Sequence, residues 1–178
     1  QARVAAELNP KNVDTWRILA VMYGYALKVS PDVAGLALNA LEKATNLEPS
    51  NPIFYNQKAN IYAFQGKDAE AQANYRKAIE QKPDLLLSYQ NYASYLFAIN
   101  KLNESIDVLA SAYQYANGNI DYLLSMSSLY IRRGTKEDLI IAAALTEQTV
   151  RVDGKNINAL SLLASIYELQ NKDGEAVN

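Results

Sequence analysis

Residues 52–85 of the chain read PIFYNQKANIYAFQGKDAEAQANYRKAIEQKPDL, and this stretch decides the fold. Its first half carries Tyr55, Ala59 and Tyr62 at the spacing of one face of an α-helix. Its second half carries a sparser stripe at helical spacing, and Gly66 separates the two halves. That second stripe is Ala71, Tyr75, Ala78 and Ile79. The stretch therefore predicts two antiparallel helices that pack against each other.

The same pattern recurs along the chain as four columns of residues in phase. Members of the first column are separated by 39, 34, 34 and 37 positions, and the second column follows three residues behind it. A fixed period of this size is typical of stacked helical repeats, in which small residues lie where two helices cross closely. The columns are Ala20, Ala59, Ala93, Ser127 and Ala164; Tyr23, Tyr62, Leu96, Tyr130 and Tyr167; Ala37, Ala71, Ser105, Ala142 and Ala176; and Ala5, Ala44, Ala78, Ala112 and Thr149.

Turn-forming residues occupy two fixed places in each unit. Glycine and asparagine tolerate the left-handed conformation that ends a helix, whereas proline and asparagine favour a break between units. Turns within units are predicted at Gly66, Asn100, Gly134 and Asn171, and breaks between units at Pro10, Pro49, Pro83, Asn117 and Gly154.

Helix starts are also visible in the sequence, and two units are longer than the others. Asn51 is an N-cap followed by proline in the first turn of a helix. Extra residues in the first unit predict a protruding loop, with Ser30 as a cap and Pro31 opening the second helix. Extra residues in the fourth unit include Thr135 and Asp138, which predict a capping box that starts the second helix early.

Together these residues resemble the tetratricopeptide repeat, whose period is about 34 residues and whose pattern is an aromatic residue, a Leu-Gly or Leu-Ala pair, Tyr, then Ala, Tyr or Phe, Ala and Pro. The resemblance covers essentially the whole chain and implies an all-α fold, a right-handed α-solenoid of antiparallel helical hairpins. The matching residues are Tyr55, Ala59, Tyr62, Gly66, Ala71, Tyr75, Ala78 and Pro83 in the unit from 52 to 85, and Trp16, Leu19, Ala20 and Tyr23 in the unit before it.

The predicted organisation is a single array of about four full repeats with partial repeats at both ends. We place the end of a truncated repeat at 1–12, full repeats at 13–51, 52–85, 86–119 and 120–156, and a partial repeat at 157–178. The repeat 13–51 has the extended loop and 120–156 the small insertion. A solenoid end without a polar cap exposes its stacking face, so we expect a longer array, or another chain covering the ends at 1–8 and 175–178.

The composition narrows the chemistry. The chain has no cysteine and no histidine, which excludes thiolate nucleophiles, disulfides, Cys/His zinc sites and imidazole acid-base catalysis within these residues. Lysine and arginine total 17 and aspartate and glutamate 19, without a long block of one sign, which disfavours a nucleic-acid surface. The longest strongly apolar run, Leu139 to Leu145, is far shorter than the roughly 20 residues that span a bilayer. We therefore predict no catalytic residue, cofactor, metal, nucleic-acid partner or membrane insertion.

The resemblance also implies where a partner binds, because in this family the first helix of each hairpin lines a concave groove. Here that lining is mostly neutral and polar, with a few apolar contacts. Side-chain amides both donate and accept hydrogen bonds, so a row of them could hold the main chain of an extended segment. Equally, Asn, Gln and Ser could simply keep an exposed wall soluble. The predicted partner-binding residues are Arg17, Asn56, Asn60, Phe64, Gln90, Asn91, Ser94, Phe97, Leu124 and Ser128.

Two departures from the family pattern affect these expectations. Some family members grip a C-terminal carboxylate with Lys and Arg from consecutive units, but the corresponding places here hold Asn56, Asp121 and Ser125. The comparison with that clamp implies that an acidic chaperone tail is not the ligand. Lys58 stands where the family usually has Leu, so we expect its stem to lie along apolar surface and its ammonium group to reach solvent.

The leading interpretation is a protein-interaction scaffold or adaptor that binds a partner protein or extended peptide in its groove. One alternative is a regulatory or assembly appendage of a larger enzyme, such as a membrane-bound, glycan-related one, with the activity in flanking sequence. A second alternative is a structural filament or coat that self-associates through uncapped ends. The full gene separates the first alternative from the leading interpretation, and concentration-dependent assembly separates the second.

Overall fold

The computed structural model describes Val4 and residues 7–175, with the backbone alone from 172 to 175. Two short 3-10 helices accompany the α-helices, one at Pro31–Val33 before α2 and one at Tyr113–Tyr115 after α6. These residues contain no strand, and the all-α prediction is confirmed. The α-helices are α1 Val13–Ala26, α2 Ala34–Leu47, α3 Pro52–Phe64, α4 Asp68–Gln81, α5 Leu86–Ala98, α6 Leu102–Ser111, α7 Ile120–Arg133, α8 Lys136–Val152 and α9 Ile157–Glu175.

The helices form two compact units, residues 1–91 and 92–178, and the boundary lies inside α5. In the first unit α1 packs along α2, α2 contacts α3, and α3 packs along α4. In the second unit α6 contacts α7, α7 packs along α8, and α8 packs along α9. Each unit is thus built from adjacent helical hairpins.

The small-residue columns form the centre of both units. In the third and fourth columns every described member is completely buried, while Ala5 and Ala176 lie outside the described residues. In the first column Ala20, Ala59 and Ala93 are buried with Ser127, but Ala164 on α9 is exposed because no described helix covers it. Close helix crossing is therefore the reason for the small residues, since a larger side chain would have no space there.

Where a column carries a hydroxyl, that group is hydrogen-bonded inside the core. The Ser105 hydroxyl on α6 donates to the Ala93 carbonyl on α5 at 2.7 Å. The hydroxyl oxygens of Ser127 and Thr146 lie 2.8 Å apart, and both residues donate to the Ala142 carbonyl. Because each polar group has a partner, its burial costs little, and the hydroxyls tie neighbouring helices together.

An aromatic side chain forms a hydrogen bond with the preceding turn at the start of α1, α3 and α5. In each case the polar tip donates to a proline carbonyl six residues earlier, so the ring lies over the turn it closes. This contact satisfies a carbonyl that the turn leaves without a helical partner. The bonds are Trp16 Nε1 to Pro10 at 2.9 Å, Tyr55 Oη to Pro49 at 2.8 Å and Tyr89 Oη to Pro83 at 3.0 Å.

The turns within hairpins follow the sequence in three of four places. Gly66, Asn100 and Gly134 have φ angles of 69°, 61° and 73°, the left-handed conformation expected at the end of a helix. The prediction of a turn at Asn171 is wrong, because α9 continues through it to Glu175. Asparagine lowers helix propensity only modestly, so it does not end a helix by itself.

Most predicted helix starts are also present. The Asn51 side chain accepts from the Ile53 amide, and Thr135 forms the capping box with Asp138 at the start of α8. The prediction for Ser30 is wrong, since its side chain caps no helix and its hydroxyl donates to the Asp32 carboxylate. The α1–α2 connection covers residues 27–33, and its 3-10 turn takes up part of the predicted protruding loop.

The expectation that the Lys58 ammonium group reaches solvent is also wrong. Lys58 is 8% exposed, its Nζ donates to the Glu42 carboxylate at 2.7 Å, and it lies 5.6 Å from the centre of the Tyr55 ring. Glu42 itself is largely exposed. The partly hydrated Glu42 carboxylate and the face of the Tyr55 ring compensate the charge of Lys58 at this buried position.

Candidate binding groove

A groove of about 440 Å³ lies between α1 and α3 in the first unit, with Leu41 of α2 at its base. Its size falls in the range of sites that hold a small ligand or part of a peptide. The residues that line it are Ala20, Val21, Gly24, Tyr25, Leu27, Lys28, Leu41, Gln57, Asn60, Ile61 and Phe64.

The groove has an apolar interior and exposed aromatic rings in its lining. Tyr25 is 78% exposed and Phe64 is 50% exposed. Gly24 leaves space on the α1 side of the groove, because a Cβ atom placed on it meets no atom within 4 Å. A glycine inside a helix costs about 0.5 to 1 kcal/mol relative to alanine, so this gap comes at a cost in stability.

Two side-chain amides from α3 supply the polar groups. Gln57 Oε1 is buried and accepts no hydrogen bond from the protein. Asn60 Oδ1 accepts from the Tyr75 hydroxyl of α4 at 2.6 Å, which leaves the Asn60 amide nitrogen to donate to a ligand. Burial raises the pKa of Tyr75 to about 12. The phenol is protonated at neutral pH, and its hydrogen bond holds the Asn60 oxygen on the side of α4.

Lys28 is the one charged residue among those that line the groove. It is exposed, so its ammonium group remains hydrated. No carboxylate lines the groove. The interior is therefore nearly uncharged, and recognition there depends on apolar contact and on amide hydrogen bonds.

Six of the predicted partner-binding residues lie in the first unit, and two of them, Asn60 and Phe64, line this groove. Arg17 lies elsewhere on α1, where its guanidinium contacts the Asp14 carboxylate at 2.8 Å. The structure corrects the prediction that Asn56 lines the groove. Asn56 is 3% exposed, and its amide nitrogen donates to the Ser88 hydroxyl at 2.8 Å inside the core. Gln90, and Asn91 beside it, are half-buried on α5 outside the groove lining.

The predicted partner-binding residues in the second unit behave differently. Ser94 is exposed on α5, and the guanidinium of Arg132 lies 5.4 Å from the centre of the half-exposed Phe97 ring. Leu124 is half-buried on α7, and its carbonyl accepts from the exposed Ser128 hydroxyl at 2.8 Å. Because this hydroxyl donates to its own helix, Ser128 offers a ligand only an acceptor.

The sequence prediction did not include Val21, Gly24 or Lys28. Val21 and Lys28 have no distinctive signal, since either residue type is common on a helix surface. Gly24 did carry one, because a glycine inside a predicted helix is unfavourable unless the space of its missing side chain is used.

A buried ion pair in the second unit perturbs an acid strongly. Asp138, 1% exposed at the start of α8, accepts from Arg133 Nη2 at 2.6 Å and Nε at 2.9 Å, and from the Thr135 amide at 3.1 Å. The hydrogen bond from Arg133 lowers the pKa of Asp138 to about 2. All of its partners belong to the α7–α8 joint, so this perturbed acid is a structural feature.

The described part of the chain lacks both a membrane-spanning helix and a cluster of metal-binding side chains. No helix there is long and apolar enough to span a membrane. The described residues also contain no group of three or more acidic side chains arranged to hold a metal ion.

Residues 53–85 match the family model for the tetratricopeptide repeat. No curated protein sequence matches the chain. The crystal structure of yeast Tom70 is similar with a TM-score of 0.77 and 21% identity, over 99% of this chain and 36% of that one. This chain thus spans about a third of the Tom70 chain.

Two smaller proteins are similar over most of their own length. YrrB, described as a protein with an unusual peptide-binding site, has a TM-score of 0.62 and 16% identity, over 96% of this chain and 84% of that one. The first tetratricopeptide domain of RPAP3, bound to the HSP90 peptide SRMEEVD, has a TM-score of 0.55 and 20% identity, over 66% and 91%. The chain therefore has the tetratricopeptide-repeat fold, an all-α helical-repeat solenoid.

Proposed function

We propose that this chain is a protein-interaction scaffold whose first unit binds an extended segment of a partner protein in the groove between α1 and α3. The observation that carries the proposal is the largely apolar groove itself, which stays open at Gly24 between α1 and α3.

Two further features of the groove support a ligand. Tyr25 and Phe64 expose aromatic surface next to the gap, and rigid aromatic side chains are favoured in interfaces. Gln57 keeps a buried acceptor without a partner, and an unpaired buried acceptor costs free energy that a donor from a ligand recovers. Apolar walls with a few placed polar groups are the usual composition of a binding site.

Two of the similar structures also support peptide binding, because their descriptions refer to a peptide. The RPAP3 domain holds a peptide, and YrrB is described by a peptide-binding site. We propose that this chain also binds a peptide with this fold, through its own set of groove residues. We propose no catalytic role, because Asp138, the most perturbed acid, is fully engaged with Arg133 and Thr135.

The test fills the groove and leaves the rest of the surface unchanged. In Gly24→Leu the new side chain enters the open space, and the helix itself becomes more favourable, so the variant is expected to fold. Gly35→Leu is the matched control, since Gly35 is a glycine of α2 with equally open surroundings outside the groove.

Peptides are selected from a displayed random library on the unaltered protein, and their dissociation constants are then measured by fluorescence anisotropy on all three proteins. We expect selected peptides to bind the protein and Gly35→Leu equally and to lose at least tenfold in affinity for Gly24→Leu. A library that yields no binder, or binders that Gly24→Leu does not weaken, would refute groove binding.

A further inference from the structure

We infer that the groove selects an internal, uncharged stretch of its partner, which inserts one large apolar side chain at Gly24 and donates a main-chain N–H to Gln57. This inference rests on the proposed function and states the ligand chemistry that the groove recognises.

The apolar side chain follows from the space at Gly24. The gap is bounded by Val21, Ile61 and the buried Leu41, none of which carries a polar side chain. Tyr25 and Phe64 add exposed ring surface to the same lining. A large aliphatic or aromatic side chain placed there exchanges water for apolar contact, whereas alanine would leave most of the gap unfilled.

The donor follows from Gln57 and Asn60. The Gln57 oxygen is buried and unpaired, so a ligand group that reaches it must donate a hydrogen bond. A carboxylate has only acceptors and would bring two sets of lone pairs together in a place shielded from water. With its oxygen held by Tyr75, the Asn60 amide nitrogen is left to donate to a carbonyl, so Gln57 and Asn60 together offer an acceptor and a donor to the N–H and C=O of an extended segment.

The lack of charge in the ligand follows from the lining. Lys28 is its one charged residue and is exposed, and the groove has no second cation to neutralise a carboxylate. A single hydrated ammonium group contributes little affinity and is screened by salt. The acidic peptide SRMEEVD, which the RPAP3 domain binds, is therefore expected not to bind here.

The first experiment uses the peptides that lose affinity in Gly24→Leu, synthesised with an amidated C-terminus. We expect them to share one Leu, Met, Phe, Tyr or Trp whose replacement by Ala weakens binding about tenfold or more, and whose replacement by Glu abolishes it. Raising the salt concentration from about 0.1 M to about 0.5 M should change the dissociation constant less than about twofold.

Binding that needs a free C-terminal carboxylate, or falls more than about tenfold in that salt range, would overturn the inference and leave groove binding intact. Saturable binding of SRMEEVD that Gly24→Leu abolishes would do the same. If the selected peptides are insensitive to Gly24→Leu, the proposed function itself fails, so the two failures are distinct.

The second experiment is Gln57→Leu, which removes the unpaired acceptor. We expect a higher melting temperature of the free protein together with roughly fivefold to tenfold weaker binding of the selected peptides, because the acceptor is unsatisfied only without ligand. Unchanged affinity in this variant would contradict the hydrogen bond to Gln57. Gln65→Leu, just beyond α3 and outside the groove lining, is the control.

Discussion

Replacing Asp138 with asparagine should destabilise the second unit by removing the Arg133 contact while keeping the shape of the side chain. Asparagine can still accept from the Thr135 amide, so the lost interaction is chiefly the two-point bond to the guanidinium. The pKa of Asp138 is about 2 in the folded protein against an ordinary value of 3.8. This difference corresponds to roughly 2 kcal/mol at neutral pH, and the partial exposure of Arg133 reduces the expected loss to about 1 to 2 kcal/mol.

The pH dependence follows from the direction of the pKa shift. Because the folded pKa is lower than the unfolded one, the stabilising contribution is complete above about pH 4 and is lost as the pH falls through about 2. The free energies of unfolding of the protein and of Asp138→Asn should therefore differ at neutral pH and converge near pH 2. Urea unfolding followed by circular dichroism at several pH values measures this gap.

Glu104→Gln is the control for this experiment. Glu104, exposed in the first turn of α6, pairs with Lys101 just before the helix, with an oxygen 2.9 Å from the ammonium nitrogen. Exposed pairs of this kind contribute little, so the change in unfolding free energy should remain within about 0.5 kcal/mol. If Asp138→Asn is equally mild at neutral pH, or if its effect persists unchanged to pH 2, the reasoning from the buried ion pair is wrong.

Three further substitutions test the packing of the hairpins. Ala93→Leu should lower the unfolding free energy by about 1 to 3 kcal/mol because Ala93 is 2% exposed, whereas Ala98→Leu on the exposed side of α5 should change it little. Equal effects of the two substitutions in urea unfolding would contradict close helix crossing at Ala93. Gly134→Ala should cost about 1 to 2 kcal/mol at its φ of 73°, and Gly35→Ala should be neutral or stabilising; a melting temperature that rises in both would be inconsistent with left-handed strain. Lys58→Leu should leave stability unchanged or raise it, since Glu42 is exposed enough to rehydrate, and a loss above about 1 kcal/mol would show that the ion pair is required.

Two residues of the groove lining could be predicted from sequence, and the surroundings of other residues on α3 could not. Asn60 and Phe64 could be predicted because helical periodicity fixes which side of α3 they occupy. Asn56 follows the same periodicity but is buried, because Ser88 on the neighbouring helix provides a hydrogen-bond partner that no local pattern reveals. Lys58 is a similar case, since its partner Glu42 lies on the preceding helix.

The sequence by itself determined the helical hairpins, the buried small-residue columns and the left-handed turns at Gly66, Asn100 and Gly134. These features depend on periodicity and on the conformational preferences of single residues, which local sequence contains. Only the tertiary structure decided where the open space at Gly24 lies, and which polar groups stay unpaired beside it. Such features depend on side chains from different helices meeting in space, and their distances are set by packing rather than by spacing along the chain.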